Sequence, residues 1–396
     1  MRIGIVINID RETLLPYLNN EEEKKLIQRY CSPNGAPAVN TLINSFLQIG
    51  NFVRVFTIAE KSFTIITPQV EIYATTPYNG YPIKYLWGEF KTAHRLREMM
   101  RNHLSDLDVL HAHWTYQYAY AAVHFETQLP VFCTVRDISS YIWRIESLKN
   151  KVTWTFKLLM NNLVFKHPHV HFIANSPYTA EVIKKKYNKE VPVIPNSIKD
   201  SFICKKGHHN PNKFKILCVS SSNDKRKNIS TLLQAFQLFK KKYPDSELQL
   251  IGAPFVSGDK IIEKWRDKHL LESVELIGKV AHNELITYYD NCSVFITPSL
   301  EETFGNTILE SIVRKVPVIG GEKSGAVPYV LHHGRAGYLC DVTNPKSIFQ
   351  ILEYVFQHPS EVSRKVQDAY DIILSEYSEI MVANKHLQLY NKYIIK

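Results

Sequence analysis

Short apolar segments alternate with amphipathic segments along the whole chain, and this alternation is typical of parallel sheets with crossover helices. In the first half, the apolar segments that predict buried strands are residues 3–7, 53–57, 109–111, 131–135 and 171–174. In the second half they are residues 216–220, 248–251, 274–277, 294–297 and 316–320. The helices predicted between such segments include residues 39–48, 230–242 and 304–315. The pattern therefore predicts an α/β protein with two similar halves.

A polar break separates the two halves. Residues 201–213 contain Gly207, two adjacent histidines and Pro211, a composition typical of a linker. The predicted domains are residues 1–200 and 214–375, and residues 376–396 form a C-terminal helix for which packing back on the first domain is one option. Open α/β sheets bind ligands at the carboxyl ends of their strands, so we expect the active site in a cleft between the domains.

Composition narrows the class of protein. The length of 396 residues exceeds what one hydrophobic core usually organises, and 45% apolar with 22% charged residues excludes wholesale disorder. Lys and Arg outnumber Asp and Glu by 48 to 38, and the net charge of +10 favours anionic partners. The cysteines are scattered without a CxxC pair, which argues against a zinc site or a disulfide framework and favours a reducing cytosol. No apolar run is long enough to predict a membrane-spanning helix, while contact with a membrane surface stays open.

The most informative segment is residues 294–310, where a predicted strand ends in a turn and a helix opens near Gly305. Neither a GxGxxG turn after a strand nor a GxxxxGK[ST] loop occurs, which disfavours hydride transfer and P-loop chemistry. Free amides at a helix start favour a diphosphate, and a glycine there permits close approach. Glu302 and Glu310 flank the turn, and carboxylates accept hydrogen bonds from hydroxyls but repel phosphate. The alternative is one acid favoured by the helix dipole and one ordinary surface glutamate.

This segment resembles a motif of the family 4 glycosyltransferases, which are retaining enzymes of the GT-B fold that use nucleotide-sugar donors. The family's most specific mark is Glu-x7-Glu, found here as Glu302 to Glu310 with Phe304 and Gly305 inside it. Residues 193–198, 274–278 and 281–285 resemble further segments of the family, and the likeness is weakest near the amino terminus. The resemblance implies two Rossmann-like α/β domains whose parallel sheets face each other across a cleft.

The resemblance also implies roles for residues of the second domain. Glu310 would bind the ribose hydroxyls of the donor, and Glu302 would contact the donor sugar as a catalytic residue. Lys227 would be a catalytic phosphate-binding lysine, whose ammonium neutralises charge on the leaving diphosphate. The helix start would hold the rest of the donor through Phe304, Gly305, Asn306 and Thr307.

One segment departs from the family. Where the family often carries Gly-Arg-Leu after a strand, residues 220–223 read Ser-Ser-Ser-Asn, so the usual phosphate-binding arginine is absent. Arg226, Lys225 and the helix start are the candidates to replace it.

In the first domain, His113 is the candidate catalytic residue. The segment from His111 to His113 resembles the family's His-x-His segment, whose second histidine approaches the donor sugar. A neutral, hydrogen-bonded core residue is the alternative, more so for His111, and a zinc site lacks a carboxylate or cysteine ligand set.

Two further residues of the first domain are candidates. Asp137, with Arg136 before it, lies where the family commonly carries His-Asp, which makes it a candidate acceptor-side residue; loop capping is the alternative. Gly35 replaces part of the family's glycine pair and is a candidate donor-binding residue, with a plain turn as the alternative.

These features predict a retaining glycosyltransferase that moves a sugar from a nucleotide-diphosphate sugar to a hydroxyl acceptor. The resemblance implies a glycan or lipid-linked acceptor in surface polysaccharide or glycolipid biosynthesis, with no cofactor and no obligatory metal; we expect no nucleic-acid partner. We expect a cytoplasmic protein, and residues 91–104 and 149–166 interleave basic with apolar side chains, so they either touch the inner face of the cell membrane or pack as ordinary amphipathic helices. A nucleotide-sugar epimerase of the same fold and a degenerate sugar-nucleotide-binding subunit are the alternative functions.

Overall fold

The computed structural model describes residues 1–33, 35–80, 84–204 and 213–394. They form two compact units: unit 1 comprises Met1–Ser197 and Glu379–Lys396, and unit 2 comprises Ile198–Ser378. The chain therefore leaves unit 1 after Ser197 and returns to it for the last helix. Most of the predicted linker, residues 205–212, lies outside the described residues, as do residues 395–396 of the predicted C-terminal helix.

Unit 1 is built around a seven-stranded sheet with the order β3-β4-β2-β1-β5-β6-β7. Its strands are β1 (Arg2–Val6), β2 (Phe52–Ile58), β3 (Phe63–Ile66), β4 (Val70–Thr75), β5 (Val109–His113), β6 (Val131–Val135) and β7 (Val170–Ala174). Its helices before the last one are α1 (Glu21–Tyr30), α2 (Pro37–Gln48), α3 (Lys84–Met100), α4 (Gln117–Ala122), α5 (Ser139–Ile145), α6 (Leu148–Val164) and α7 (Pro177–Tyr187). All neighbouring strands run parallel except β3, which pairs antiparallel with β4.

Unit 2 contains a six-stranded, fully parallel sheet with the order β10-β9-β8-β11-β12-β13. Its strands are β8 (Lys215–Val219), β9 (Glu247–Ile251), β10 (Val274–Gly278), β11 (Val294–Thr297), β12 (Val318–Gly321) and β13 (Tyr338–Cys340). Its helices are α8 (Ile229–Lys242), α9 (Lys260–Asp267), α10 (Leu285–Asp290), α11 (Asn306–Val313), α12 (Val327–Val330), α13 (Pro345–Gln357) and α14 (Pro359–Tyr377). Helix α15 (Glu379–Asn391) then belongs to unit 1.

Each sheet is covered by apolar side chains on both faces, which explains why its strands read as continuous apolar runs. In unit 1, Ile5 of β1 shares one core with α2 and α15, and the next residue, Val6, belongs to the core on the opposite face with α3. In unit 2, Leu217 and Cys218 of β8 divide in the same way between two cores. The predicted α/β class is therefore confirmed for both units.

Each sheet has a point where the strand order reverses. In unit 1 it lies at β1, which pairs with β2 on one side and β5 on the other. In unit 2 it lies at β8, between β9 and β11. Connections leave the sheet in opposite directions there, so a crevice opens at the carboxyl ends of the two diverging strands, and ligands of such sheets bind in it.

Two predicted boundaries are corrected. The helix predicted over residues 304–315 spans only Asn306–Val313, because Gly305 has a left-handed φ of 92° and Lys315 one of 59°, and neither fits inside a helix. The strand predicted to end at residue 111 extends to His113, which places both histidines of that segment in β5. In the part of the chain that the structure describes, no helix combines the length and apolarity needed to cross a membrane.

Candidate active site

The loops after β8 and β11 bring Lys227 and Glu302 together at the switch point of unit 2. Lys227 Nζ donates to Glu302 Oε1 over 2.6 Å. Lys227 ends a one-turn 3-10 helix, which Asp224 caps by accepting from the Lys227 amide at 3.2 Å. The two loops are also joined by their backbones, since the Leu300 amide donates to the Arg226 carbonyl over 2.7 Å. Residues 75 positions apart thus form one rigid pair.

Glu302 is held in its ionised form. Burial favours the neutral acid, but Lys227 and then Arg226 outweigh it and hold the pKa of Glu302 below its ordinary value. Its backbone is fixed as well, because the Ala326 amide donates to the Glu302 carbonyl over 2.8 Å. A fixed carboxylate accepts hydrogen bonds, so Glu302 is suited to bind hydroxyl groups and unsuited to donate a proton at neutral pH.

Gly305 forms the turn between Glu302 and α11. Its φ of 92° lies in the left-handed region, and a Cβ there would come within 2.9 Å of Ile308 Cδ1, so only glycine fits without strain. Asn306 and Thr307 then form the first turn of α11, and the backbone amides of a helix start favour an anion. The ring of Phe304 belongs instead to the core of unit 2, so this residue has only its backbone to offer a ligand.

Glu310, on α11, is held by two side chains that the sequence-based prediction does not assign to the site, although one of them lies in the family-like segment 281–285. His282 Nε2 lies 2.9 Å from Glu310 Oε1, and the Tyr289 hydroxyl donates to Oε2 over 2.9 Å. Burial and the neighbouring carboxylate raise the pKa of Tyr289, which keeps the phenol protonated as a donor. Glu302 lies in the turn before α11 and Glu310 lies in α11 itself. They contact different partners, Lys227 and His282 respectively.

The candidates to replace the missing arginine have separate environments. Arg226 Nη1 lies 3.8 Å from Glu301 Oε2, whose side chain is buried. Lys225, the first residue of the same 3-10 turn, is exposed. Lys227 is the residue of this turn that contacts a predicted catalytic acid.

In unit 1, His111 and His113 are both fully buried at the end of β5, but their partners differ. His111 is saturated, since Nδ1 lies 2.5 Å from the Tyr390 hydroxyl and Nε2 lies 2.8 Å from Thr134 Oγ1. His113 Nδ1 faces the guanidinium of Arg136, with Nε at 3.3 Å and Nη2 at 3.2 Å. His113 Nε2 has no hydrogen-bond partner among the described residues.

Gly35 and Asp137 occupy loops at the carboxyl ends of the same sheet. Gly35 has a left-handed φ of 46°, and a Cβ there would lie 2.4 Å from the Asp10 amide, so the loop before α2 packs tightly on the chain after β1. Asp137 is half-buried two residues after β6; burial lowers the pKa of the neighbouring Arg136, and the charge of Asp137 opposes only part of this shift. Neither geometry assigns the residue to a donor or an acceptor.

Two known protein families match this chain, one in each half. The family described as "Glycosyltransferase Family 4" matches residues 38–202, and "Glycosyl transferases group 1" matches residues 201–371. The chain belongs to the family 4 glycosyltransferases of the GT-B fold.

Curated relatives are distant. The chain is 28% identical over 212 residues to N-acetyl-alpha-D-glucosaminyl L-malate synthase of Bacillus anthracis, covering 50% of this chain and 53% of the relative. It is 28% identical over 178 residues to alpha-monoglucosyldiacylglycerol synthase of Acholeplasma laidlawii, covering 40% and 43%. The chain thus spans about half the length of these curated relatives.

A solved structure supports the fold. HepE of Anabaena in complex with UDP-glucose is similar over 99% of this chain and all of that one, with a TM-score of 0.67 and 15% sequence identity. At this identity the similarity concerns the fold, and it confirms the predicted GT-B architecture of two α/β units with largely parallel sheets.

Proposed function

We propose that this protein is a retaining glycosyltransferase that moves a sugar from a nucleotide-diphosphate sugar to a hydroxyl acceptor. The observation that carries the proposal is the Lys227–Glu302 pair beside the N-terminus of α11, at the switch point of unit 2. An ammonium and helix amides suit a diphosphate, and an ionised carboxylate suits the hydroxyls of a sugar. The UDP-glucose bound to HepE supports the kind of donor.

Each residue has a part in this reaction. Lys227 and the first amides of α11 neutralise the diphosphate as the bond from the anomeric carbon to its oxygen breaks and the electron pair leaves with that oxygen. Glu302 orients the sugar hydroxyls, and Glu310, clamped by His282 and Tyr289, binds the ribose diol. The acceptor oxygen bonds to the anomeric carbon from the same face and passes its proton to the leaving phosphate. Retention is supported by membership of family 4.

The same chemistry needs no resident metal or cofactor, because Lys227 and the helix amides carry the charge of the diphosphate. We expect protein dialysed against a chelator to retain its transfer rate. A rate that is lost on chelation and restored by added Mg²⁺ would contradict this part of the proposal.

We further propose a lipid-linked acceptor reached from a membrane surface. Leu148, Val152 and Leu159 of α6 are 85%, 49% and 43% exposed, and their spacing places them on one face of the helix, here called the α6 stripe. Arg144 is exposed nearby, and Lys151 Nζ lies 5.0 Å from the ring of Trp143. Apolar side chains flanked by cations suit an anionic lipid surface. The relative from A. laidlawii is named for a diacylglycerol product, which supports an acceptor of this kind.

A panel of nucleotide sugars tests the proposal. UDP-, GDP-, ADP- and dTDP-linked sugars are screened by thermal shift, because a ligand that binds the native state raises the midpoint by mass action. Donors that bind are then supplied with a radiolabelled sugar and lipid or oligosaccharide acceptors. Transfer of label, or slow donor hydrolysis, supports the proposal. Inverted stereochemistry in recovered donor would indicate the epimerase, and binding without turnover would indicate the sugar-nucleotide-binding subunit.

A further inference from the structure

The hydrogen-bond partners of His113 define which of its nitrogens carries a proton. Two nitrogens of the Arg136 guanidinium, Nε and Nη2, lie 3.3 Å and 3.2 Å from His113 Nδ1. A guanidinium has five N–H donors and no acceptor, so Nδ1 must present its lone pair. In a neutral imidazole the proton then sits on Nε2.

Arg136 is itself fixed in place. It follows β6 directly, is 9% exposed, and donates from Nη1 to Asn196 Oδ1. Asn196 lies in segment 193–198, which resembles the family. It therefore orients Arg136, a residue that stands where the family commonly carries histidine. Burial lowers the pKa of Arg136 to about 10, which leaves the guanidinium charged at neutral pH.

His113 stays neutral in this setting. Burial, then His111, then Arg136 hold the pKa of His113 well below its ordinary value. The other titratable groups of this cluster are His386 and Tyr390 of α15, Cys133 of β6, and Asp137. Burial likewise lowers the pKa of His386 to about 3, so no neighbouring imidazole adds a proton to the cluster at neutral pH.

The Nε2–H group of His113 points to a ligand. Among the described residues it has no acceptor, whereas both nitrogens of His111, two residues earlier in the same strand, are paired. Buried polar groups without partners are rare in native proteins and call for an explanation. Trp114, the next residue, has a left-handed φ of 60°, a conformation that costs energy and clusters at functional sites. β5 also pairs with β1 at the switch point of unit 1, where sheets of this topology bind ligands.

We propose that Arg136 is a positioning residue that holds His113 as an Nε2–H donor, so that His113 donates a hydrogen bond to an oxygen of the sugar substrate and does not accept a proton during transfer. The proposal rests on the proposed function and deepens it. A histidine at position 136, the residue type that the family commonly carries there, has both a donor and an acceptor form, whereas arginine only donates. The exchange therefore fixes one tautomer of His113.

The tautomer is measured directly on the full chain without a substrate. Protein labelled with ¹⁵N-histidine is recorded in a long-range ¹H–¹⁵N correlation spectrum at neutral pH, and the signals of His113 are identified by their loss in His113→Gln. We expect the pattern of a neutral ring with a bare Nδ1 and a protonated Nε2. A protonated Nδ1, or a ring protonated at both nitrogens, would overturn the proposal.

Three variants connect the tautomer to turnover. Arg136→Met removes every donor at similar length, and we expect a mixture of tautomers and a kcat lower by about tenfold or more at unchanged donor KM, because the substrate hydrogen bond is misplaced. Arg136→Lys keeps a side chain that only donates, and we expect the wild-type tautomer and a kcat closer to that of the wild type than in Arg136→Met. Arg101→Met, at an exposed arginine that pairs with Glu98 of α3, is the matched control and leaves both unchanged.

The outcomes separate this inference from the proposed function. If no nucleotide sugar is transferred or bound, the proposed function fails, and with it the catalytic use of His113, whatever its tautomer. If transfer occurs but Arg136→Met keeps both the wild-type rate and the wild-type tautomer, the positioning role fails and the transferase stands. Should Arg136→Met not fold, the wild-type spectrum and Arg136→Lys still decide, since a loss of the Nε2–H pattern in either contradicts the proposal.

Discussion

The two units share a topology, but the polar groups at their switch points differ in charge. In unit 2, a lysine and a glutamate form an ion pair, and a second glutamate is held by His282 and Tyr289. In unit 1, buried neutral histidines lie around Arg136, whose guanidinium faces His113 Nδ1. The same fold therefore supports an ionised centre where a diphosphate is expected and a largely neutral one where hydroxyls are expected.

Differences in burial explain why the groups of unit 2 are ionised and the histidines of unit 1 are neutral. The side chains of Lys227 and Glu302 keep 12% and 15% of their surface exposed, and each compensates the charge of the other. His111 and His113 are fully buried, and a buried imidazole loses less free energy when it stays neutral. We therefore expect the two units to lose stability at different pH values as the solution is acidified.

The largest expected effect is a selective loss of stability of unit 1 in mild acid. His111, His113 and His386 have folded-state pKa values below the ordinary value of about 6.5, so the unfolded chain binds more protons below that pH. Stability falls as the pH drops through 6.5 and continues to fall toward the folded-state pKa, which is about 3 for His386. At pH values between its folded-state and unfolded-state pKa, each such histidine lowers stability by at most about 1.4 kcal/mol per pH unit.

Hydrogen exchange of peptides from β5 and β11, corrected for the intrinsic pH dependence, measures this loss in each unit. The pKa of Glu302 is lowered, so its contribution in unit 2 is lost only below about pH 4.5. In His386→Phe we expect the acid sensitivity of β5 to fall, because one buried neutral imidazole is removed. Equal loss of protection in both peptides between pH 7 and pH 5.5 would remove the contrast between the units.

The next effect concerns the ion pair of unit 2. In Lys227→Met, Glu302 loses its counter-ion and the diphosphate loses an ammonium, so we expect the transfer rate at saturating donor to fall about 10²–10³-fold. Lys225→Met, two residues earlier and exposed, is the control and should stay near the wild-type rate. Equal losses of transfer rate in Lys227→Met and Lys225→Met would show that the 3-10 turn of residues 225–227 contributes only its overall charge.

The two acids should be separable from each other. We expect Glu310→Ala to weaken nucleotide binding by about 10–100-fold, because it removes charged hydrogen bonds to the ribose. Glu302→Ala should reduce turnover more than binding. Isothermal titration with the nucleoside diphosphate and initial rates with the donor give both quantities. Unchanged binding and turnover in both variants would refute the two assignments.

The smallest effect lies on the surface of unit 1. Replacing Leu148 and Val152 together by serine removes the most exposed apolar groups of the α6 stripe, and we expect binding to vesicles that contain phosphatidylglycerol to fall several-fold. Leu238→Ser, at an exposed leucine of unit 2, is the control. Sedimentation with vesicles that differ in anionic lipid content measures the binding. A double variant that sediments like the wild type would contradict the membrane contact.

Sequence reasoning recovered the central strands because they are buried on both faces and therefore locally apolar. It missed β3 and β13, which are short strands at the edges of their sheets, and β4 beside β3. In β3 the alternation of exposed and buried residues is too brief to stand out. The start of α11 after Gly305 depends on a left-handed backbone conformation that the sequence allows but does not demand.

Only part of the candidate site could be predicted from the sequence. The Glu-x7-Glu spacing and Lys227 could be recognised from the resemblance, but no local pattern shows that Lys227 and Glu302 pair. His282 lies in the family-like segment 281–285 and Tyr289 in α10 just after it, but their contacts with Glu310 exist only once this part of the chain packs on α11. Arg136 was visible as a departure from the family, and its contact with His113 emerges only when β5 and β6 are neighbours.

The return of the chain to unit 1 has a consequence for exchanging modules among such enzymes. Unit 2 is, in genetic terms, an insertion between Ser197 and Glu379. A recombinant fragment that stops at Ser197 would lack α15, leaving Phe46 without the ring of Tyr390 and His111 without its hydroxyl partner. A chimera that swaps unit 2 therefore requires two splice junctions, with α15 kept from the recipient.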